Sequence, residues 1–363
     1  MPIRKGDGRM EAQGGRGPRE GWLLWVLAGL LVLASVLSLA LGSLETPGKE
    51  VLGALLQRLS GGLWAGTVDE RVVTVVMDIR LPRVLVAILV GAALATAGAC
   101  LQGLFRNPLA DPGLIGVSSG GAIGSILAIS SVGLILPSNS LLLELQIPLW
   151  AMAGAMVTTF TVYRIARIAG KTHISTLLLA GIAVNALAGA IVGAMLYLSD
   201  NDSLRRFTFW TLGSLQTTTW RTLFLMAPFI VFPLAILPGY RRALNAFLLG
   251  EAEAYHLGFN TQKTKRLVVG LCALMVGVTV AFCGLIGFVG LVVPHLVRLV
   301  WGPDFRRLIP ASALLGGLLV LLADLLARTI NAPAEMPIGV VTSLVGAPFF
   351  LYLIHRRKRH LSF

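Results

Sequence analysis

The chain has 363 residues, of which 56% are hydrophobic and only 13% charged, whereas a soluble domain carries about 25% charge. Mean hydropathy is +0.81, which excludes a soluble enzyme, a disordered linker, a coiled coil and a disulfide-framed secreted scaffold and leaves an integral membrane protein. The net charge of +13 would suit nucleic acid, but the basic residues gather in short segments between apolar runs, such as Arg241-Arg242 and Arg356-Arg357-Lys358-Arg359, as helix-orienting charges do. No nucleic-acid partner is expected.

Residues 1–21, with Arg4, Lys5, Arg9, Arg16 and Arg19 among Gly and Pro, read as a disordered cytoplasmic tail. The run from Trp22 to about Leu44 is long enough to span a bilayer, which takes about 20 residues. It carries no cleavage site of the A-x-A kind and reads as a retained first helix. Nine further apolar runs follow at 84–104, 113–134, 147–168, 175–198, 221–239, 266–284, 286–301, 308–328 and 337–355. The expected fold is an all-α bundle of ten transmembrane helices over residues 22–363, with both termini in the cytoplasm. That orientation places 21 of the 30 Lys and Arg residues inside, as the positive-inside rule requires.

Glycine, at 41 residues, recurs at helical spacing in Gly116-x-x-x-Gly120-x-x-x-Gly124 and in Gly91, Ala95 and Gly98. Small residues on one face let helices approach closely in lipid, so the bundle should be compact. Gly284, Gly287 and Gly290, with Pro294 beyond, interrupt two runs. Broken backbone at that depth either lines a pathway or forms a tightly packed turn. The cysteines Cys100, Cys272 and Cys283 lie in apolar runs and read as packing residues; neither a disulfide nor a metal site is expected.

Charges inside the crossings are scarce. Asp324 is the one acidic residue well inside a run, with Arg328 four residues on; the two read as a local ion pair or, if the chain is a proton-coupled secondary transporter, as part of its coupling machinery. The crossings hold no paired carboxylates, Ser/Lys dyad or His-x-x-x-His motif, so no catalytic site is expected, and the energy for transport must come from a partner ATPase. The cytoplasmic segment between the sixth and seventh runs fits that role. Residues 243–257 suit a short amphipathic helix closed by Gly258, offering Leu and Tyr side chains to a groove on another protein or to the membrane surface.

Three long motifs carry a family resemblance: Arg80-Leu-Pro-Arg83 with Gly98-Ala-Cys-Leu-Gln-Gly-Leu-Phe-Arg-Asn107-Pro-Leu109-Ala-Asp-Pro-Gly-Leu-Ile-Gly116; Gly287-Phe-Val-Gly290-Leu-Val-Val-Pro294-His295-Leu-Val-Arg298; and Pro337-Ile-Gly339 running to Gly346-Ala-Pro-Phe349. In this order they resemble the permease subunits of bacterial ABC importers for cobalamin, haem and ferric siderophores, from about residue 22 to the C-terminus. The resemblance implies a type II importer of the inner membrane. Two copies of the permease form the path, two cytoplasmic ATPase subunits hold the ATP and Mg, and a periplasmic binding protein delivers the substrate; this subunit binds no cofactor. It assigns ATPase coupling, at a helix over about 243–258, to Glu253, Ala254, Leu257 and Gly258. It places the cytoplasmic gate at Asn107, Leu109, Ser175 and Thr176, and docking of the binding protein at Arg80, Arg83 and Arg328. The segment Arg205-Arg206-Phe-Thr-Phe-Trp210 is most similar to haem and ferric-chelate importers, so haem is the first substrate expected, ferric siderophore the next and cobalamin the third. His173, His256, His295, His355 and His360 all fall towards the cytoplasm in this topology. A haem at the outer mouth would therefore meet apolar surface, with Met195 and Tyr197 the nearest ligand candidates, although ordinary packing accounts for both.

Overall fold

The protein is described by a computed structural model over residues 21–42, 48–59, 69–130 and 141–359. The expected tail lies outside these residues up to position 20, and Gly21 already belongs to the first helix. In chain order the helices begin with α1 (Gly21–Ala40), α2 (Gly48–Leu59), α3 (Glu70–Thr74), α4 (Leu81–Leu104) and α5 (Val117–Ser130). Then come α6 (Leu141–Ile165), α7 (Ile174–Tyr197), α8 (Asn201–Thr211), α9 (Trp220–Ile236) and α10 (Arg241–Leu249). The last are α11 (Glu251–His256), α12 (Thr261–Cys283), α13 (Val289–Trp301), α14 (Phe305–Thr329) and α15 (Ile338–Arg359). A two-stranded antiparallel hairpin, β1 (Arg167–Ile168) and β2 (Lys171–Thr172), sits between α6 and α7 and pairs Ile168 with Lys171.

Every expected apolar run coincides with a helix. Among the described residues, seven helical stretches are long and apolar enough to cross a membrane; α5, α13 and most of α15 are shorter apolar helices. Two departures stand out. The second run extends back to Glu70 through a π-helical segment, Val75–Arg80, which its charged residues hide from a hydropathy reading. The surface helix α8 was not expected; Asp200 caps it by accepting from the Ser203 N–H at 3.2 Å.

α4 is the central post. It is buried along nearly its whole length and packs on α14, α12, α13 and α9. Two of these contacts bring backbone against backbone. A Cβ at Gly91 would overlap the Gly316 carbonyl, and one at Gly98 would overlap the Gly290 carbonyl. The second glycine ridge serves the α5–α6 pair in the same way, Gly120 against Gly154 and Gly124 against the Trp150 carbonyl. In lipid, where apolar burial no longer drives association, such close packing is the main attraction available. The broken backbone at 284–288 begins packed against the 210–214 segment, where a Cβ at Gly284 would overlap the Trp210 carbonyl, and is exposed at Gly287. The Ser214 N–H donates to the Cys283 carbonyl at 2.9 Å, and the Gly339 N–H reaches the Leu212 carbonyl at 3.1 Å. At the periphery α1 turns Trp25, Val32, Leu33 and Val36 outward, as a lipid-facing helix should.

Replacing Gly98 with Leu should therefore separate α4 from α13. Overpacking costs about 1–3 kcal/mol in a core that can adjust, and backbone carbonyls cannot move aside as side chains do. The expected result is a fall of several degrees in the melting temperature of the detergent-purified protein, with Gly98→Ala an intermediate case. A wild-type melting curve for Gly98→Leu would refute the contact.

Candidate functional site

The segment between α9 and α12 is two helices and not the single one expected over 243–257. Gly250 adopts φ 145°, a conformation that side-chain-bearing residues avoid, and ends α10 before α11 begins. Gly258, at φ 88°, closes α11 as the sequence implies. The Gly258 N–H donates to the Tyr255 carbonyl and the Phe259 N–H to the Ala254 carbonyl, at 2.9 and 3.1 Å, the paired bonds of a Schellman ending. α10 buries Leu244 and Phe247 and is held to α14 by Asn245, which donates to Asp304 at 2.7 Å and accepts from the Phe305 N–H at 2.9 Å.

α11 faces the other way. Tyr255 and Leu257 are 68% and 61% exposed, Glu253 and Gly258 are exposed beside them, and a cleft of about 920 Å3 opens between α11, the start of α12 and Lys171. Ala254 is fully buried, so of the four residues assigned to coupling it is the one whose side chain faces the body and not the surface. The sequence reading also missed Lys265, which is buried at the base of α12 and paired with Glu251 at 2.6 Å.

The residues expected at the gate sit on two segments, the stretch after α4 and the first turn of α7. The Asn107 side chain accepts from the Leu109 N–H at 2.9 Å, which leaves Leu109 53% exposed. The chain then passes through a 3-10 turn at Pro112–Ile115, capped by Asp111 accepting from the Gly113 N–H at 2.7 Å. Burial pushes the Asp111 carboxyl up, against the opposing effect of that hydrogen bond. α7 leans on the same turn: Asn185 donates to the Gly113 carbonyl at 3.2 Å and accepts from Ser119 at 2.6 Å. Ser175, exposed, and Thr176, half-buried, begin α7. The 112–116 turn thus meets α7 at Asn185, well along the helix from Ser175 and Thr176.

The three arginines assigned to docking are not surface groups. Arg80, Arg83 and Arg328 are 4%, 7% and 5% exposed. Arg83 grips Asp324 with Nε and Nη2 at 3.0 and 2.9 Å, and its Nη1 holds Glu335 at 2.9 Å. Arg328 pairs with Asp324 at 3.2 Å and donates to the Ser38 hydroxyl and carbonyl at 2.6 and 3.2 Å. Arg80 donates to the Leu39 and Ala40 carbonyls at 2.6 and 3.0 Å. The last carbonyls of a helix have no partner within it; here two arginines supply partners for Ser38, Leu39 and Ala40. The cluster therefore fastens α1 to α4 and α14. The local Asp324–Arg328 pair exists as expected, but within a larger buried network that turns the three guanidinium groups towards the protein interior.

Met195 packs against the small cluster of Ile126, Ile129 and Phe207 and edges a polar recess of about 280 Å3 with Asp200 and Ser203. Tyr197 is 89% exposed at the end of α7. They share no site. Among the described residues no three His, Cys, Asp or Glu side chains are grouped to hold a metal ion, and Cys100, Cys272 and Cys283 are buried free thiols.

Residues 30–356 match the FecCD transport family. The chain belongs to that family. It is 44% identical to the hemin transport system permease of Yersinia pestis over 93% of this chain and 97% of that one. The vitamin B12 import system permease of Escherichia coli is 40% identical over 93% of this chain and 96% of its own length. A solved structure, an inward-facing metal-chelate type ABC transporter, superposes with a TM-score of 0.79 at 33% identity, covering 93% of this chain and 99% of the other. The chain is accordingly a helical, multi-pass ABC transport permease.

The buried network gives a direct test. Asp324→Asn removes the carboxylate shared by Arg83 and Arg328, and breaking a buried ion pair costs about 3–5 kcal/mol. Thermal unfolding of the purified variant should shift down by several degrees, and protease cleavage beside α1 should quicken. Unchanged stability would remove the clamp.

Proposed function

We propose that this permease carries an iron complex from periplasm to cytoplasm, with haem the first choice, ferric siderophore the second and cobalamin the third. Two copies form the path in the inner membrane, both termini lie in the cytoplasm, and a periplasmic binding protein hands over the substrate. Energy comes from two separate ATPase subunits, which hold the ATP and Mg. The observation that carries the coupling half of this reading is the exposed Tyr255–Leu257 edge of α11 beside its cleft. Large apolar side chains held in water at a helix end suit a groove on a protein partner. The preference for haem rests on the near full-length likeness to the Yersinia pestis hemin permease.

Proton coupling is the weaker alternative, because Asp324, its one candidate relay, is held by Arg83 and Arg328. The gate assignment of Asn107, Leu109, Ser175 and Thr176 is retained as part of the proposal, on the support of the exposed Leu109 and Ser175 side chains. Docking through Arg80, Arg83 and Arg328 is not retained, since their donors face inward.

The test is uptake in proteoliposomes containing the permease, its ATPase and the binding protein. ATP-dependent accumulation of haem is the expected outcome. Accumulation of cobalamin or siderophore alone would overturn the substrate, and failure of any ATPase to co-purify would overturn the importer. In the same assay Leu257→Asp buries a charge against an apolar groove, at several kcal/mol. Uptake should drop by at least about tenfold, a loss that corresponds to only about 1.4 kcal/mol, and normal uptake would remove α11 from the coupling surface.

A further inference from the structure

We propose that the Lys265 ammonium is a joint. It locks α11, the base of α12 and the 167–172 hairpin into one block, so that a displacement of α11 is delivered to the foot of α7. This rests on the importer reading above, and Lys265 is a positioning residue within it.

The side chain of Lys265 is only 2% exposed. Its Nζ donates to the Thr172 carbonyl at 2.5 Å and to Glu251 Oε1 at 2.6 Å. Gln262, one turn earlier on α12, makes the same bridge a second time: it donates to Glu251 Oε1 at 3.1 Å and accepts from the Thr172 N–H at 2.8 Å. The Thr172 hydroxyl continues the chain of bonds to the Tyr163 hydroxyl on α6, at 3.0 Å. Glu251 is the first residue of α11, and Thr172 stands two positions before Ile174, the first of α7. The bonds thus connect the beginning of one helix to the beginning of another through a single buried cation.

An ammonium is a compact, strongly hydrated charge. Inside the protein one carbonyl and one carboxylate stand in for its water. Drawing Glu251 away from Thr172 would take the carboxylate from a buried ammonium and leave that charge without a counterion, although Glu251 itself is partly exposed. Moving all three partners together strands nothing. The neighbouring anchor has different partners: α10 is fastened to α14 through Asn245 and Asp304, and Gly250, at φ 145°, lies between the two attachments. The break in the cytoplasmic segment therefore divides a helix fixed to the body from one fixed to the α7 side, and Gly250 is where the two can change angle.

The experiment uses the full chain with its ATPase and binding protein in lipid nanodiscs, after Cys100, Cys272 and Cys283 are changed to Ala. Spin labels are attached through Lys171→Cys and Ala252→Cys, both exposed, outside the bonded set and away from the Tyr255–Leu257 edge. Pulsed electron resonance should give one narrow distance, the same without nucleotide and with trapped ATP. Lys265→Met should broaden it, and ATP hydrolysed per substrate imported should rise by about tenfold, within the range of ordinary coupling free energies. Glu251→Gln keeps the acceptor oxygen but removes the charge; it should raise the same ratio, and it decides the matter if Lys265→Met does not assemble. A distance in the unmutated chain that changes between nucleotide states overturns the joint. So does Lys265→Met with the parent distance and the parent ratio. If the ATPase does not bind the unmutated chain, the importer reading fails, while broadening by Lys265→Met without ATPase still reports on the block itself.

Discussion

The architecture depends on α4 approaching its neighbours at backbone distance. A membrane bundle cannot draw on exclusion of apolar surface from water, because lipid tails are as apolar as leucine. What remains is contact, and contact at Gly91 and Gly98 is possible only because neither carries a side chain. Once α4 is seated against Gly316 and Gly290, the positions of α13 and α14 follow. The buried arginines at one end of α4 and the Gln102 side chain towards the other, which donates to the Gly290 carbonyl at 3.1 Å, then meet partners already in place.

Polar groups in this chain work mainly as fasteners between helices. At one end of the bundle Arg83 and Arg328 share Asp324, and Arg80 and Arg328 take up the terminal carbonyls of α1. Between α9 and α12 Lys265 and Gln262 hold Glu251 and Thr172, and Asn245 holds Asp304. A small number of such ties can govern the whole assembly where, as at Arg83, Asp324 and Lys265, breaking one would leave a buried charge without its partner.

Much of this was legible in the sequence. The ten apolar runs are ten helices, the glycine ridges are helix contacts, and Gly258 ends α11, because each of these is written in residues close together in the chain. The Asp324–Arg328 pair was legible for the same reason. What could not be read were the partners at long range. Arg83 meets Asp324 across 241 positions and Lys265 meets Thr172 across 93, so no periodicity links them. An arginine next to an apolar run looks like a surface anchor until its carboxylate is found, which is why the arginine triad was expected at a docking surface and is buried. The split at Gly250 was missed because the amphipathic pattern continues through it, and only the backbone angle reveals the break.

α13 has 13 residues. At about 1.5 Å per residue it rises roughly 20 Å, well short of the roughly 30 Å of hydrocarbon in a bilayer. It also carries the half-buried Arg298, which donates to Gln102 at 2.5 Å. Such a segment has no stable transmembrane position of its own. Its place in the membrane therefore rests on its packing against α4 and α14 and not on its own length, so a change that loosens either neighbour should displace α13 first.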